Sequence, residues 1–541
     1  MVVLKRSRRN PLPGEIIMNG NFKKITVIMS LIIFSPSIFC VLTGGLKHSC
    51  NESLIYLYAA DKKDLMIKED NAEAAGDENN LEKDSIGEGA GSFNFSADGF
   101  AELENYYSSD KNKTKKERNL KNELRVNLEF KAGSENLFLY SKTNLYYTPQ
   151  LGDKEPGEKY HYRNGFDVSD NLTISDKNYE IEPNELYLNY SNSLFRLRAG
   201  NQVYLWGTAD VYNPTSYFNP LDLREYVFAD EDELKLAVPS GSLMFFLGFA
   251  TVEMVFVPVH IPAEIPADGN YWQIKSESAL MTLNVQENKG LDKDISNAAY
   301  GIRSSFSPGG VDFSLSYYHG PDRNPVFVPQ YIDIYNSPAS LEVQPEYFIV
   351  NMFGFDLSTQ ISDFVIQCEA VYSPDKTWLV ERDFSEFMMT NLYSGRSGFE
   401  TEKSHYVHYA AGFNYYIPVN KFIKDYDGES IITVEWQQPW YADKDLMAPF
   451  LTKIFLLRFE EICFDSRLKL SASYLAEMNK NAYVIKPEIK YDFQNGLSLK
   501  ASYVYINAES DSESVLPGED TSVIYFLRDK DMASLSVRYD F

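Results

Sequence analysis

Five side chains with polar or aromatic chemistry lie along one short stretch of the chain. They are Arg196, Arg198, Gln202, Tyr204 and Trp206. If the stretch is a strand, its side chains alternate between two faces, and these five lie opposite the apolar Phe195, Leu197 and Ala199. A row of arginines on the wall of a pore can select anions. The alternative interpretation is that acids on neighbouring strands, Glu185 among them, neutralise the arginines and brace the wall.

The sequence lacks the motifs of familiar catalytic and metal sites. It has no Gly-x-Ser-x-Gly elbow, no His-Glu-x-x-His pair and no Ser/His/Asn set like that of the outer-membrane phospholipases. His405 and His408 are three residues apart, which puts them on opposite faces of a strand, so they make a poor metal pair. We therefore predict a protein that is not an enzyme and has no cofactor and no metal site.

Strands with one apolar face recur from residue 93 to the end of the chain. In VDFSLSYY, for example, the apolar face carries Val311, Phe313, Leu315 and Tyr317. A soluble sandwich would bury such faces inside, whereas a membrane barrel turns them towards lipid and keeps a polar lumen. The 38 tyrosines and 35 phenylalanines suit the two aromatic girdles of a barrel.

The chain ends in a strand of the same kind. Its apolar face carries Leu535, Val537, Tyr539 and Phe541. A barrel in hydrocarbon must close because unpaired strand edges cannot be solvated there, so the last strand should be structural to its final residue. The stretch LSVRYDF resembles the terminal insertion signal of bacterial outer-membrane barrels. This resemblance implies recognition by the outer-membrane assembly machinery.

One hairpin can be built from the alternation alone. With Asn192 and Ser193 as the turn, the apolar pairs are Tyr190 with Phe195, Leu188 with Leu197 and Leu186 with Ala199. A slip by one residue would mix the two faces, so the pattern predicts this register.

These patterns predict an all-β fold, a transmembrane antiparallel β-barrel of about 16 strands (14–18), in the outer membrane of a diderm bacterium. Near the N-terminus, Lys23 and Lys24 precede a largely apolar stretch, as in a secretory signal peptide. Met18 is an alternative true start. The predicted organisation is a signal peptide over residues 1–45 with cleavage as late as 60, an acidic and disordered linker over 46–92, and the barrel over 93–541.

Residues 196–222 resemble a motif of a group of bacterial outer-membrane proteins that includes the family called DUF1302. In that group an arginine-rich strand leads into a Gln, then Trp-Gly, then one or two Asn-Pro steps. Besides Arg198, Gln202 and Trp206, the matching positions are Gly200, Gly207, Asn213, Pro214, Asn219, Pro220 and Asp222. The resemblance covers residues 183–270 and implies a barrel that handles hydrophobic or anionic solutes.

The two Asn-Pro steps also predict where the arginine-bearing strand ends. Proline lacks the backbone donor that a central strand needs, so the chain after Trp206 should be a loop. A loop of this length is either an outer loop or a constriction folded into the lumen. We hypothesise that residues 207–235 fold inwards.

The sequence favours an outer-membrane channel or solute-binding, porin-like protein that moves small solutes, anionic or amphipathic ones included, passively across the membrane. The alternative is a non-catalytic surface protein, an adhesin or antigen, that acts through long outer loops. Expected partners are outer-membrane lipid, the assembly machinery and a small-molecule solute that the sequence does not name. A formal charge of −26 argues against a nucleic-acid partner, because phosphate binding needs a basic field. The oligomeric state is not encoded in these patterns.

Overall fold

The structure, a computed structural model, describes the chain from residue 93 onwards with gaps. The described residues are 93–109, 119–148, 167–168, 172–176, 179–209, 213–225, 234–266, 281–286, 288, 290–333, 339–380, 401–421, 423, 426, 428–441, 453–478, 481–509, 522–528 and 530–541. The predicted signal peptide and acidic linker lie outside these residues and stay predictions.

The described residues form 23 strands and three short 3-10 helices. The strands are β1 (Asn94–Ser108), β2 (Asn119–Gly133), β3 (Leu137–Tyr147), β4 (Asp167–Val168), β5 (Ile174–Asp176), β6 (Tyr179–Ser191), β7 (Phe195–Gln202), β8 (Val238–Phe246), β9 (Thr251–Val257), β10 (Met281–Val285), β11 (Ala299–Phe306), β12 (Val311–Pro321), β13 (Val326–Asp333), β14 (Ala339–Glu346), β15 (Ile349–Ile361), β16 (Phe364–Leu379), β17 (Thr401–Ile417), β18 (Glu429–Tyr441), β19 (Ile454–Cys463), β20 (Leu468–Glu477), β21 (Ala482–Asp492), β22 (Leu497–Ala508) and β23 (Met532–Asp540). The helices are Ile295–Asn297, Val419–Lys421 and Val523–Leu527. Across the described ranges, no helix is long and apolar enough to cross a membrane.

Eighteen of the strands form one closed antiparallel barrel. Around the wall they follow chain order, as β1, β2, β3, β6, β7, β8, β9, β11, β12 and then β15 to β23. β23 pairs back onto β1, with Val537 opposite Leu103, and this pairing closes the circle. The predicted all-β transmembrane barrel is confirmed, and its strand count is at the upper end of the predicted range.

The two ends of the barrel differ in how the strands are joined. One end has tight turns, such as residues 134–136, 192–194 and 362–363. The other end has long connections, such as residues 203–237, 258–298 and 322–348. We call them the short-turn end and the long-loop end. Two of the long connections also contribute a small sheet in which β14 pairs with β10 in parallel and with β13 antiparallel.

The outer face of the barrel is apolar and its inner face is polar. On β12, Leu315 is exposed on the outside, while Ser314 and Ser316 are buried on the inside. Aromatic rings form belts on the outer face near both ends, with centroid distances of 5.1 Å for Tyr317–Phe353, 6.4 Å for Phe353–Tyr372, 5.1 Å for Phe306–Phe313 and 4.4 Å for Phe364–Tyr415. Such belts lie at the two headgroup levels of a membrane.

The predicted hairpin is correct in its faces and wrong in its register by two residues. β6 and β7 pair Tyr190 with Leu197 rather than with Phe195. The central turn residues are Ser193 and Leu194 rather than Asn192 and Ser193, because the Asn192 nitrogen donates to the Phe195 carbonyl at 2.9 Å. The Asn192 Oδ1 supports this turn by accepting hydrogen bonds from the backbone nitrogens of Leu194 and Phe195 at 2.8 and 2.9 Å. A shift of two residues leaves every side chain on its own face.

The final residue of the chain is part of the barrel wall. The Phe541 nitrogen donates to the Gly99 carbonyl at 2.9 Å, and the Gly99 nitrogen donates to the Phe541 carbonyl at 3.0 Å. Leu535, Tyr539 and Phe541 are exposed on the outer face, as the alternation predicts. The Phe541 ring lies 3.1 Å from the place where a Cβ on Gly99 would be, so it covers a position that has no side chain of its own.

Deletion of Phe541 should impair barrel closure. The two hydrogen bonds to Gly99 contribute about 1 kcal/mol each, and in hydrocarbon the exposed backbone groups have no water to replace them. We expect a severalfold lower yield of folded barrel, measured as the heat-modifiable band of refolded samples on a gel. Phe541→Tyr keeps the backbone pairing and the ring and should fold like the wild type. Equal yields for the deletion variant and the wild type would show that closure does not depend on this pair.

Candidate functional site

The connection between β7 and β8 folds into the barrel. We call its described residues, 203–209, 213–225 and 234–237, the plug loop. Its central part is fully enclosed, with Thr215, Ser216 and Asn219 each at most 1% exposed. We hypothesised that residues 207–235 fold inwards. The residues of this stretch that the structure describes lie against the inner wall.

The base of the plug loop is held together by Asn219. Its Oδ1 accepts from the Tyr204 nitrogen at 2.7 Å, and its Nδ2 donates to the carbonyls of Gln202 and Leu236 at 3.1 and 2.8 Å. An amide side chain can donate and accept at once, so one residue joins both stems of the loop. The next residue, Pro220, accepts from the Leu236 nitrogen at 2.9 Å. The second Asn-Pro step therefore builds the base of the plug loop.

Gln202 and Tyr204 attach the first stem to β8. The Gln202 Nε2 and the Tyr204 hydroxyl both donate to the Ser240 Oγ, at 3.1 and 2.9 Å. The Ser242 Oγ donates to the Gln202 Oε1 at 3.1 Å. Both predicted side chains point inwards and are buried by these contacts.

Trp206 is the centre of an aromatic cluster between the plug loop and the wall. Its ring meets Phe218 edge to face at 5.0 Å, and Phe218 in turn meets Tyr318 of β12 at 5.1 Å. The Trp206 Nε1 donates to the Glu253 Oε2 on β9 at 2.9 Å. The wall makes room for the neighbouring Tyr217, because a Cβ on Gly354 of β15 would lie 2.1 Å from its hydroxyl.

Glu369 of β16 binds the middle of the plug loop. Its Oε1 accepts from the Thr208 nitrogen at 3.3 Å and from the Thr215 Oγ1 at 3.1 Å. Gly207 approaches the same carboxylate so closely that a Cβ would lie 2.0 Å from the Oε1, and its φ of +103° also favours glycine.

The first Asn-Pro step is held from the other side by Arg323. Its Nη2 donates to the Asn213 carbonyl at 2.8 Å, and its Nη1 donates to the Ser216 carbonyl. Pro214, between these two acceptors, is buried. Gly200 lies outside the plug loop, on the preceding strand β7, where it is paired with Tyr187 of β6.

Ion pairs bind the far end of the plug loop to a second part of the wall, on β2 and β6. Arg224 contacts Asp222 at 2.6 Å and Glu180 of β6 at 3.2 Å. Glu225 contacts Lys121 of β2 at 2.6 Å. Burial alone would lower the pKa of Arg224, but the Asp222 and Glu180 carboxylates raise it well above its usual value, so the pair stays ionised.

Arg196 and Arg198 lie apart from the plug loop, near the short-turn end of β7. The Arg198 Nε donates to the Asn189 Oδ1 at 3.1 Å, and its guanidinium lies 4.8 Å from the Tyr187 ring centroid. The Arg196 Nη2 contacts the Met244 sulfur at 3.5 Å. Among the described residues, neither arginine has a carboxylate within 4.0 Å. The expected neutralising contact with Glu185 is therefore not formed.

The structure thus divides the five predicted lumen residues into two groups. Gln202, Tyr204 and Trp206 hold the plug loop, whereas the two arginines face the lumen below it. The sequence patterns did not predict the main partners of the plug loop, which are Glu253 and Glu369 on the wall and Arg323 in the connection after β12. The strand alternation marks Glu253 and Glu369 as inward-facing, but nothing local in the sequence indicates that a loop from another part of the chain would meet them.

A second segment narrows the long-loop end from another side. The helix Val523–Leu527 packs against inward-facing apolar residues of the wall, namely Tyr106, Val484, Val504, Ile506 and Met532. The Ser522 hydroxyl, just before this helix, donates to the buried Glu477 of β20. A cavity against the inner wall of β1, β2 and β21 to β23 is lined mainly by charged and hydroxyl side chains, namely Glu102, Glu104, Arg125, Lys486, Glu488, Lys500, Ser502 and Ser534. It also borders Tyr106, Val504 and Met532, which pack against the helix Val523–Leu527. The part of the chain described contains no group of three or more side chains suited to a metal ion.

Comparison with known proteins places this geometry in a family. A family model described as protein of unknown function (DUF1302) matches residues 43–423. No curated protein sequence matches the chain. Among solved structures, OccAB3 of Acinetobacter baumannii aligns with a TM-score of 0.42 and 10% identity, covering 82% of this chain and 99% of its own.

Two other solved structures align similarly. OpdK of Pseudomonas aeruginosa, solved with vanillate, gives a TM-score of 0.41 at 9% identity and covers 83% of this chain and 98% of its own. A BenF-like porin from Pseudomonas fluorescens gives a TM-score of 0.42 at 9% identity with the same two coverages.

The family match spans more than half of the chain and includes β7, the plug loop and Glu369. It confirms the resemblance that the Trp-Gly and Asn-Pro motif indicated. A closed barrel of this width, with an apolar outer face and two aromatic belts, is the architecture of bacterial outer-membrane proteins. The protein is an outer-membrane β-barrel that belongs to the DUF1302 family.

Proposed function

We propose that this protein is a porin-like channel that lets small solutes cross the outer membrane passively through a lumen narrowed by the plug loop. The observation that carries the proposal is the attachment of that loop to two parts of the wall, at Glu369 of β16 and at Lys121 of β2. Barrels of this strand number are wide enough for an aqueous channel. A loop fixed across such a lumen sets the size of what can pass.

The polar lining beside the plug loop supports a water-filled path. Glu102, Arg125, Lys486 and Lys500 belong to four different strands and line the same cavity. In this proposal Gln202, Tyr204 and Trp206 position the constriction, and Arg196 and Arg198 contact solutes, anionic or amphipathic ones, near the short-turn end. The channel acts without catalysis.

Export and assembly complete the proposal. Residues 1–45 would be removed as a signal peptide, and residues 46–92 would precede the barrel as an acidic linker. The strand ending in Phe541 would be recognised by the outer-membrane assembly machinery, because its apolar face and terminal ring resemble the insertion signal of such barrels.

Refolded protein in liposomes should admit small sugars and exclude large ones. The expected result is a swelling rate that falls steeply with sugar size, because the plug loop leaves only part of the lumen open. The measurement is light scattering of protein-containing vesicles diluted into sugars of graded size. Absence of swelling from a heat-modifiable, folded barrel would contradict the channel proposal and favour the alternative, an adhesin or antigen acting through the outer loops.

Asn219→Ala should widen the channel. The substitution leaves the Tyr204 nitrogen and the carbonyls of Gln202 and Leu236 without partners, at a cost of about 1–3 kcal/mol for each buried group. We expect larger sugars to enter and single-channel conductance to rise in planar bilayers. Asn105→Ala is the matched control, because Asn105 is exposed and bonds only to the adjacent Glu104 carbonyl. A folded Asn219→Ala barrel with an unchanged size limit would mean that the plug loop does not set it.

Replacing Arg196 and Arg198 together by Gln should weaken anion passage. One charge about 6 Å from a passing ion in water changes its free energy by roughly 0.7 kcal/mol, which is about threefold in permeability. The measurement is the anion-to-cation permeability ratio, taken from the reversal potential under a salt gradient. The double replacement by Lys keeps both charges and should keep the ratio. An unchanged permeability ratio in the Gln variant would show that the two arginines do not contact the passing solute.

A further inference from the structure

Three lysines stand side by side on the inner wall, on the part of the barrel formed by β20, β21 and β22. Lys469 is directly opposite Lys490, and Lys490 is directly opposite Lys500. We call these three residues the lysine row. Like charges directly opposite each other on neighbouring strands are destabilising, so a row of three is not explained by the stability of the sheet.

The lysine row faces the lumen. The residues next to the lysines along each strand, Leu470, Ile489 and Leu499, are exposed on the lipid-facing side. Side chains alternate along a strand, so the lysines point inwards. Lys500 also lines the cavity beside the plug loop together with Glu102 of β1.

The middle lysine of the row has no neutralising contact. Lys469 is paired with Glu460 of β19 at 2.9 Å. In the ranges that the structure describes, no carboxylate oxygen lies within 4.0 Å of the Lys490 amine. Glu488 lies on the same face of β21, two residues from Lys490, and reduces the positive charge of this wall without forming an ion pair with that lysine.

The lysine row runs from the short-turn end of the barrel towards the plug loop. Strands in a barrel are tilted, so a line of directly opposite residues rises as it crosses from strand to strand. Lys469 is the second residue of β20, just after a tight turn. Beyond Lys500 the line continues through Ser536 of β23 to Glu104 of β1, whose carboxylate lies 3.7 Å from the Lys121 amine that also binds the plug loop.

We propose that the lysine row binds the carboxylate of small organic anions and leads them along the β20–β22 wall past the plug loop. The inference rests on the proposed channel, narrows its solutes to anions that carry a carboxylate, and gives them a path. The Tyr106 hydroxyl of β1 donates to the Glu225 carboxylate of the plug loop at 3.3 Å, and other contacts join the loop to β2, β6, β8, β9, β12 and β16. The lysine row lies on the remaining arc, between β16 and β1. Lysine suits this role because its ammonium is a mobile point charge that forms and releases contacts readily. Weak binding at several neighbouring sites is what conduction requires.

The test compares three solutes of nearly equal size, namely gluconate (anionic), glucose (neutral) and glucosamine (cationic). Swelling of liposomes reports glucose entry, and reversal potentials in planar bilayers report gluconate against potassium and glucosamine against chloride. The variant carries Lys469→Gln, Lys490→Gln and Lys500→Gln together. We expect its gluconate-to-potassium ratio to fall at least about threefold, the factor for one charge roughly 6 Å from a passing ion, while glucose entry is unchanged. Lys490→Gln alone should give a smaller fall in the same direction.

Two further variants sharpen the result. Glu488→Gln removes a negative charge from the same wall and should raise the gluconate-to-potassium ratio. Lys421→Gln removes a lysine that is 65% exposed in the turn between β17 and β18, and it should leave the ratio unchanged.

The outcomes separate the two proposals. Glucose entry with equal ratios in the wild type and the triple variant would overturn the lysine row as an anion path and leave the channel intact. A folded wild-type barrel that admits none of the three solutes would overturn both proposals. A triple variant that prefers gluconate more strongly than the wild type would also contradict the inference.

Discussion

The need to pair every backbone donor and acceptor within the hydrocarbon layer governs this structure. Strands can satisfy that need only by pairing with neighbours on both sides, so the sheet must close on itself. The last residue therefore cannot fray, and Phe541 completes its pairing with Gly99. Closure of the barrel also places its outer and inner faces in different environments. The outer face must be apolar, whereas the inner face, which contacts water or protein, is free to carry charge.

The polar inner wall is what allows the plug loop to fold inwards. A loop has unpaired backbone groups, and they can be buried only if side chains supply partners. Here Asn219, Glu369 and Arg323 supply them. The Asn-Pro steps lie within the loop that follows β7, where Asn219 contributes its side chain and Asn213 and Pro220 contribute carbonyls to these contacts. The residues of the two Asn-Pro steps thus help to hold the plug loop against the inner wall.

The sequence was a good guide where one residue's neighbours along the chain decide its position. The period of two identified the faces of β6, β7 and β23, and the prolines identified the loop. Sequence patterns failed where a contact with a distant residue or a side-chain hydrogen bond decides the position of a residue. The hairpin turn lies one residue later than predicted and its pairing register differs by two residues, because Asn192 caps the turn through its own side chain. The division of the five lumen candidates follows from Ser240 and Glu253, whose proximity to Gln202 and Trp206 comes from the loop folding inwards and from barrel closure.

The formal charge of the chain is a poor guide to what its lumen would pass. At physiological ionic strength, charges farther apart than about 8 Å are largely screened in water, so a solute in the lumen responds mainly to the side chains beside it. The chain as a whole carries −26, yet among the described residues no carboxylate oxygen lies within 4.0 Å of the Arg198 or Lys490 side-chain nitrogens. Lys121 and Arg224, by contrast, are bound by acids that fix the plug loop. Cations with carboxylate partners hold the plug loop in place, and in the proposed channel the cations without such partners would contact a passing anion.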